Sequence, residues 1–180
     1  MLALVRVSCM KSCELPRRWQ LGAPGLLLVD LQQGTCGDAQ PVPRPSLDRL
    51  FRSHTLPAAP RVLAAARQNG LEVIHTLIAN LTADGRDRSF DYKRCGMGFP
   101  PGRRGTEVIP ELAPLSDELV LPKSSSSPFN STTIDDLLRN IGLRNLVVIG
   151  LLTDQCIDHT VKDAADQGYQ VVCVEDGCQA

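Results

Sequence analysis

Apolar runs alternate with helix-like segments along most of the chain. Short runs rich in leucine, valine and isoleucine predict strands at residues 25–29, 71–78, 118–121, 146–152 and 171–175. Segments of helical character, each followed by a glycine that favours helix termination, lie at residues 58–68, 132–141 and 157–167. Continuous apolar runs are typical of strands buried on both faces. The alternation therefore predicts an α/β fold of three layers, with a mostly parallel sheet between two layers of helices.

One internal segment, residues 84–105, lacks this regularity and is rich in glycine, proline and arginine. Its basic residues outnumber its acidic ones, and Phe90, Tyr92 and Phe99 lie among them. Basic and aromatic side chains together can bind RNA through phosphate contacts and base stacking. Because the rest of the chain adds no basic surface, the sequence favours an irregular loop that folds over a pocket or contacts another subunit.

The two ends of the chain also depart from the alternation. Residues 1–24 precede the first predicted strand and carry several basic residues against a single acid, Glu14. This segment fits either a poorly ordered extension or a targeting segment for a mitochondrion or plastid, ahead of a domain at residues 25–180. The chain stops at Ala180, soon after the fifth predicted strand. We therefore expect a sheet domain that lacks its last helix and strand.

Composition and charge exclude several classes of protein. The 180 residues carry a net charge of −1 and are 43% hydrophobic, which suffices for a sizeable core without disulfides or metal. A near-zero charge argues against a general nucleic-acid-binding protein, and no apolar run approaches the ~18 residues of a membrane span. The 7 cysteines are irregularly spaced, which predicts free thiols in a reducing compartment. We expect a cytoplasmic protein without nucleic-acid or membrane partners.

Reactive side chains follow three of the predicted strands. Asp30, Lys123 and Cys156 come after the first, third and fourth of them, and open parallel sheets bind ligands outside the carboxyl ends of their strands. A helix that starts beside Cys156 would stabilise a thiolate and lower its pKa. The three groups supply a base, a cation and a nucleophile. The N–H groups of Leu152 and Cys156 are candidates for an oxyanion hole.

Each of these residues taken alone has an ordinary explanation. A cysteine at a helix start is commonly a small buried side chain, an aspartate after a strand is commonly a turn residue, and a lysine there is commonly solvated. Their joint placement at one edge of the predicted sheet favours a shared site.

Four further residues are candidates for binding a substrate. Ser127 and Asn130 are placed to line the rim of a pocket, and Arg94 belongs to the basic segment. Arginine pairs with carboxylates in bidentate geometry. His75 lies within the second predicted strand. A structural role stays open for each of them: a hydroxyl-rich turn, a solvated arginine or a packed strand histidine.

Three motifs closely resemble the isochorismatase-like cysteine hydrolase superfamily. They are LLLVDLQ at 26–32, LPKSSSSPFNST at 121–132 and GLLTDQCIDHTVKDAADQGYQV at 150–171. The resemblance implies the Rossmann-like isochorismatase-like hydrolase fold and a catalytic triad of Asp30, Lys123 and Cys156. It also implies a cis peptide between Leu151 and Leu152, and a homo-oligomer, either a dimer or a tetramer.

Within the superfamily, the resemblance points to the amidohydrolase branch. Members with the cysteine hydrolyse small non-peptide amide, carbamoyl or ureido C–N bonds, as ureidoacrylate and N-carbamoylsarcosine amidohydrolases do. Isochorismatases proper lack the cysteine, so Cys156 argues against that activity. Nicotinamidases often hold a metal through an Asp-x-His pair, which this sequence lacks. We therefore expect no metal and no other cofactor, with two alternatives left open: a nicotinamidase, or a catalytically silent or truncated relative that acts in binding or oligomer assembly.

Overall fold

The computed structural model describes residues 2–5 and 22–179. Its strands are β1 (Leu2–Val5), β2 (Ala23–Val29), β3 (Glu72–Ile78), β4 (Leu119–Lys123), β5 (Leu143–Leu151) and β6 (Gln170–Gln179). Its helices are α1 (Pro45–Leu50), α2 (Leu56–Gln68), α3 (Phe90–Cys95), α4 (Ile134–Ile141) and α5 (Asp158–Asp166). One π-helical turn, Phe51–Thr55, joins α1 to α2, and another, Thr153–Ile157, leads into α5.

The strands run parallel in one sheet, in the order β1-β6-β5-β2-β3-β4. From β2 the chain builds outward through β3 to β4 and then returns to the other side of β2 to form β5 and β6. The direction of building therefore reverses between β2 and β5. Ligands bind at such a crevice, outside the carboxyl ends of the strands.

The central strand β2 is buried on both faces of the sheet. Leu26 and Leu28 pack in a core beneath α2, whereas Leu27 and Val29 pack in a second core beneath α4 and α5. Burying one leucine side chain stabilises a fold by about 1.5–3 kcal/mol, so this short apolar run anchors both helical layers. In the described part of the chain, no helix has the length and apolar character needed to cross a membrane.

The three-layer α/β fold and the predicted parallel strands are confirmed. Residues 84–105 are largely irregular, as the sequence predicts, apart from α3, which forms within them. Ser89 caps this helix by accepting a hydrogen bond from the Tyr92 N–H, and Gly96 ends it with a φ of 69°. A helix that the sequence did not predict, α1, starts at Pro45, where a proline suits the first helical turn.

Within residues 1–24, the structure describes β1, which pairs in parallel with β6, and residues 22–24, which lead into and begin β2. The basic residues and the two cysteines of this N-terminal extension lie outside the described residues: Arg6, Lys11, Arg17, Arg18, Cys9 and Cys13. The targeting segment and the poorly ordered extension therefore both remain predictions. Because β1 flanks β6, the fifth predicted strand is not at the edge of the described sheet.

Candidate active site

Asp30 begins the loop after β2 in an unusual backbone conformation. Its φ is 58°, a left-handed value that aspartate tolerates better than most residues. The Asp30 N–H donates to the Thr76 carbonyl at 2.9 Å, and the Thr35 hydroxyl donates to the Asp30 carbonyl. These bonds fix the carboxylate at the carboxyl end of the sheet, where Asp30 is only 1% exposed.

Lys123 is the last residue of β4 and is fully buried. Its Nζ lies 2.9 Å from Oδ2 of Asp30. It also donates to the Tyr92 hydroxyl at 2.9 Å and to the Ser125 carbonyl at 3.0 Å. Buried charges are stable in proteins when they are paired and hydrogen-bonded. The two hydrogen bonds and the nearby carboxylate compensate the buried charge of Lys123, so Lys123 and Asp30 form a buried ion pair.

Cys156 lies in the π-helical turn between β5 and α5 and is buried. Gly150 allows β5 to approach β2 closely, because a Cβ at this position would lie 2.1 Å from the Val29 carbonyl oxygen. The peptide bond between Leu151 and Leu152 is cis, at the position that the resemblance implies. Cys156 and Asp30, which follow β5 and β2, line one small cavity at this edge of the sheet.

The three strand ends meet in one buried cluster. Cys156 Sγ lies 3.6 Å from Lys123 Nζ, which in turn contacts Asp30. Tyr92 on α3 is a fourth member, and the sequence analysis did not identify it as a site residue. Its hydroxyl oxygen accepts from Lys123 and lies 3.4 Å from Cys156 Sγ. Because the oxygen accepts from the ammonium group, the hydroxyl proton can be donated to the sulfur.

Burial changes the proton affinities in this cluster. The pKa of Cys156 is raised to about 12, by burial and by the charge of Asp30, although the charge of Lys123 opposes both. Burial also raises the pKa of the Asp30 carboxyl, again against Lys123. The prediction from the sequence that the pKa of Cys156 is lowered is therefore wrong, because the turn that carries Cys156 is buried. Burial thus favours the neutral thiol of Cys156, whereas the charge of Lys123 favours the ionised forms of both Cys156 and Asp30.

Replacing Asp30 with asparagine is expected to lower the pKa of Cys156 by about 1–3 units, since a charge that disfavours the thiolate is removed while Lys123 stays. Asparagine also tolerates the left-handed backbone. The rate of iodoacetamide labelling of Cys156, followed against pH by peptide mass spectrometry, should therefore rise at lower pH in Asp30→Asn than in the wild type. Exposed Cys95 is the internal reference and should label alike in both proteins. Identical pH profiles for Cys156 would contradict the electrostatic coupling.

The free space beside the thiol is small. A cavity of about 20 Å³ lies against Asp30 and Cys156, which is room for about one water molecule. Arg44 and Met97 form part of its wall and also line a neighbouring cavity of about 230 Å³. Arg44 is held in place by donating to the Thr35 carbonyl at 2.7 Å. A substrate in the larger cavity would therefore reach Sγ only when these two side chains turn aside.

Ser127 and Asn130 lie beyond Lys123 but have partners of their own. The Ser127 hydroxyl accepts from the Phe129 N–H at 3.3 Å and caps a short 3₁₀ turn. Asn130 donates to Oδ2 of Asp163 at 2.8 Å on the protein surface. Neither side chain lines the cavity beside Cys156.

Arg94 and His75 also lie outside that cavity. Arg94 is exposed, with its guanidinium carbon 6.0 Å from the centre of the Phe90 ring. His75 is buried in β3, where its Nε2 lies 3.4 Å from Glu118, and burial lowers its pKa. Residues that the sequence did not single out line the cavity instead: Thr35, Arg44, Met97 and Gln155.

The two N–H groups expected to form an oxyanion hole lie at opposite ends of one turn. Leu152 precedes the turn in an extended conformation, and Cys156 lies within it. The Leu152 carbonyl accepts from the N–H groups of Gln155 and Ile157, at 3.1 and 3.0 Å, which closes the turn. The role of the Leu152 and Cys156 N–H groups as an oxyanion hole remains a prediction.

Two curated relatives match long parts of the chain. The uncharacterized isochorismatase family protein YddQ of Bacillus subtilis (strain 168) is 32% identical over 120 residues, which are 67% of this chain and 61% of that protein. The ureidoacrylate amidohydrolase RutB of Variovorax paradoxus (strain S110) is 28% identical over 167 residues, which are 84% of this chain and 66% of that protein. The chain thus spans somewhat less than two thirds of the length of these relatives.

Solved structures match the fold more completely. N-carbamoylsarcosine amidase from Thermoplasma acidophilum has a TM-score of 0.74 at 29% identity, over 88% of this chain and 84% of its own. An isochorismatase family protein from Desulfovibrio vulgaris has a TM-score of 0.76 at 32% identity, over 88% and 83%. The family model described as the isochorismatase domain matches residues 24–180. Since this match covers most of the chain, from within β2 to residue 180, the protein belongs to the isochorismatase family.

Proposed function

We propose that the protein is a cysteine-dependent hydrolase of a small non-peptide amide, carbamoyl or ureido C–N bond. The observation that carries the proposal is the buried cluster in which Lys123 Nζ lies 2.9 Å from Asp30 and 3.6 Å from Cys156 Sγ. The cluster combines a base, a cation and a nucleophile at the switch point of the sheet. The relatives named ureidoacrylate amidohydrolase and N-carbamoylsarcosine amidase support the choice of bond.

In the first half of the reaction, the Asp30 carboxylate takes the proton of the Cys156 thiol, and the sulfur forms a bond to the substrate carbonyl carbon. The carbonyl oxygen becomes an oxyanion, which accepts hydrogen bonds from the N–H groups of Leu152 and Cys156. Asp30 then gives its proton to the substrate nitrogen and the C–N bond breaks. Ammonia or an amine leaves, and the acyl or carbamoyl carbon stays on Sγ as a thioester-like intermediate.

In the second half, a water molecule releases the product. Asp30 takes a proton from the water, whose oxygen attacks the carbon attached to Sγ. The C–S bond breaks, and the sulfur leaves as a thiolate that regains its proton from Asp30. The raised pKa of Asp30 suits this shuttle, because a carboxylate with a higher proton affinity is a better base for a thiol.

Lys123 and Tyr92 stabilise the charged sulfur while the proton is on Asp30. The ammonium group stays near Sγ throughout, and the Tyr92 hydroxyl is placed to donate to it at 3.4 Å. The hydrogen bond from the charged ammonium group and the one from the neutral hydroxyl both lower the free energy of the thiolate, relative to a thiolate without them in this dry site. Neither residue needs to gain or lose a proton.

The proposed substrates are small. The space beside Sγ holds about one water, so the group that reacts must be compact, and the rest of the molecule would occupy the larger cavity beyond Arg44 and Met97. Arg44 is the charged side chain in the wall that both cavities share, and arginine pairs well with a carboxylate. Arg44 therefore replaces Arg94 as the proposed contact for an anionic group of the substrate.

The test is a panel of compounds assayed for release of ammonia: ureidoacrylate, N-carbamoylsarcosine, nicotinamide and simple aliphatic amides. The proposal predicts that at least one carbamoyl, ureido or amide compound is turned over by the metal-free protein. Turnover of nicotinamide alone, and only with added metal, would favour a nicotinamidase. No release from any compound, with a protein that unfolds cooperatively on heating, would favour the catalytically silent relative.

The remaining proposals concern the domain bounds, the cellular compartment and the oligomeric state of the enzyme. Residues 25–180 form the hydrolase domain and 1–24 an N-terminal extension. The five described cysteines are free thiols, which supports a reducing compartment, the cytoplasm. A homo-oligomer, a dimer or tetramer, is supported by large apolar side chains on the surface, notably Leu81 and Phe90, at 67% and 76% exposure.

A further inference from the structure

The carboxyl-terminal half of β6 is irregular. Cys173 pairs with Val148 of β5, and Cys178 pairs with Gly150, only two positions further along. The four residues between the cysteines, 174–177, therefore bulge out of the ladder. Gly177 fits the bulge because it has no Cβ, which would lie 2.6 Å from the Ile149 side chain. The bulge brings the two cysteines to neighbouring positions on the same strand.

The two side chains point to the same face of the sheet, where both contact the core beneath α4 and α5. Two positions along a strand separate Cα atoms by about 6.6 Å, which is within the ~4.4–6.8 Å range over which disulfides form. The interaction between the two neighbouring thiols lowers the pKa of Cys173 and raises the pKa of Cys178. The Cys178 thiol donates its hydrogen bond to the Val148 carbonyl oxygen at 3.7 Å.

A small oxidant can reach this pair. Both cysteines line a cavity of about 340 Å³ that also contacts Val161 and Lys162 of α5. Cys173 is buried and Cys178 is half-buried. This cavity is separate from the one beside Cys156, because the two share no lining residue.

We propose that Cys173 and Cys178 are a redox modification site, a dithiol that a peroxide converts into an intrachain disulfide across the bulge of β6. The observations that carry it are the register of the two residues on β6, the core that both side chains contact, and the cavity that both line. The proposal does not depend on the activity assigned to Cys156.

The chemistry balances with a peroxide as the oxidant. The Cys173 sulfur, as its thiolate, attacks one oxygen of hydrogen peroxide, the O–O bond breaks, and the hydroxide that leaves takes up a proton as water. Cys173 is then a sulfenic acid. The Cys178 sulfur attacks it, the S–O bond breaks, and the hydroxide leaves with the thiol proton as a second water. The two thiols lose two electrons, and the peroxide gains them.

The test is peptide mapping of the full chain after a titration with hydrogen peroxide and alkylation of the remaining thiols. A protease that cleaves after Glu175 separates Cys173 from Cys178 in the reduced protein, since Glu175 lies between them. In the oxidised protein we expect the two peptides to stay linked, with a mass lower by two hydrogens than their sum. A thiol reductant should separate them again. Cys36 and Cys95, which are free cysteines outside β6, should remain available for alkylation.

The Cys178→Ser variant is the matched control. Its Cys173 should stop at the sulfenic acid, which dimedone traps, and no linked peptide should form. The proposal is overturned if Cys173 and Cys178 remain separately alkylated at a peroxide concentration that oxidises Cys95. It is also overturned if either is found as a sulfinic acid without a link, or linked to another cysteine. All of these outcomes are read from the peptide map of the wild-type protein. They therefore test the proposal even if the Cys178→Ser variant does not fold.

Discussion

Replacing Cys156 with alanine should reduce the rate of amide hydrolysis by a factor on the order of 10⁴ or more, because no other group in the cluster can form the covalent intermediate. Asp30, Lys123 and Tyr92 would still be present, but they would have no nucleophile to activate. The substitution removes one buried sulfur atom from the side chain, so the thermal unfolding transition should stay cooperative. The ammonia-release assay, run on a substrate that the wild type hydrolyses, measures the effect directly.

Cys36 provides the matched control. Cys36 is buried, as Cys156 is, and burial raises its pKa to about 12. Its thiol donates to the Gln32 carbonyl oxygen at 3.4 Å. No lysine amine lies against it in the described part of the chain. Cys36→Ala should therefore keep most of the wild-type turnover. Equal losses in the two variants would mean that the effect is one of packing, and the role of Cys156 as nucleophile would fail.

Breaking the ion pair between Asp30 and Lys123 should lower the free energy of unfolding far more than breaking an ion pair on the surface. Their charged atoms are 2.9 Å apart, with side chains 1% and 0% exposed. Asp30→Asn leaves a buried ammonium group without its partner, and Lys123→Met leaves a buried carboxylate. Each single variant should lose about 3–5 kcal/mol of unfolding free energy. The double variant leaves no unpaired charge and should recover much of that loss.

Urea unfolding of the four proteins in this double-mutant cycle measures the coupling. The exposed pair of Asp158 and Lys162, four residues apart on α5, is the reference, and breaking it should change stability by less than about 1 kcal/mol. The double variant Asp30→Asn/Lys123→Met should remain inactive despite its recovered stability, because the base and the cation are both lost. Additive losses in the cycle would show that the two residues do not act as a pair.

The strands and the three strand-end residues could be predicted because both follow from local pattern. A buried parallel strand is a short apolar run, and the residue after it lies at the ligand-binding edge of the sheet. Asp30, Lys123 and Cys156 were identified in this way, and the structure brings them together. Their roles in catalysis remain proposals.

The rest of the site depends on contacts between segments that lie far apart in the sequence. Tyr92 reaches the cluster from α3, a six-residue helix that the sequence could have revealed through Ser89 at its start and Gly96 after its end. Arg44 reaches the cavity from the loop before α1, and nothing in the sequence fixes the path of that loop. The pKa of Cys156 was predicted with the wrong sign because the start of a helix is visible in a sequence, whereas burial of the turn is not.

The central claim is that substrate becomes covalently attached to Cys156, and trapping that intermediate tests it most directly. Wild-type protein mixed with a substrate that it hydrolyses, quenched in acid within one turnover and mapped by peptide mass spectrometry, should carry an acyl or carbamoyl group on Cys156. The added mass should be that of the substrate without its amine or ammonia. The peptide with Cys156 should be unmodified when the same protein is quenched before mixing. Turnover without any adduct at Cys156, or an adduct on another residue, would contradict the claim.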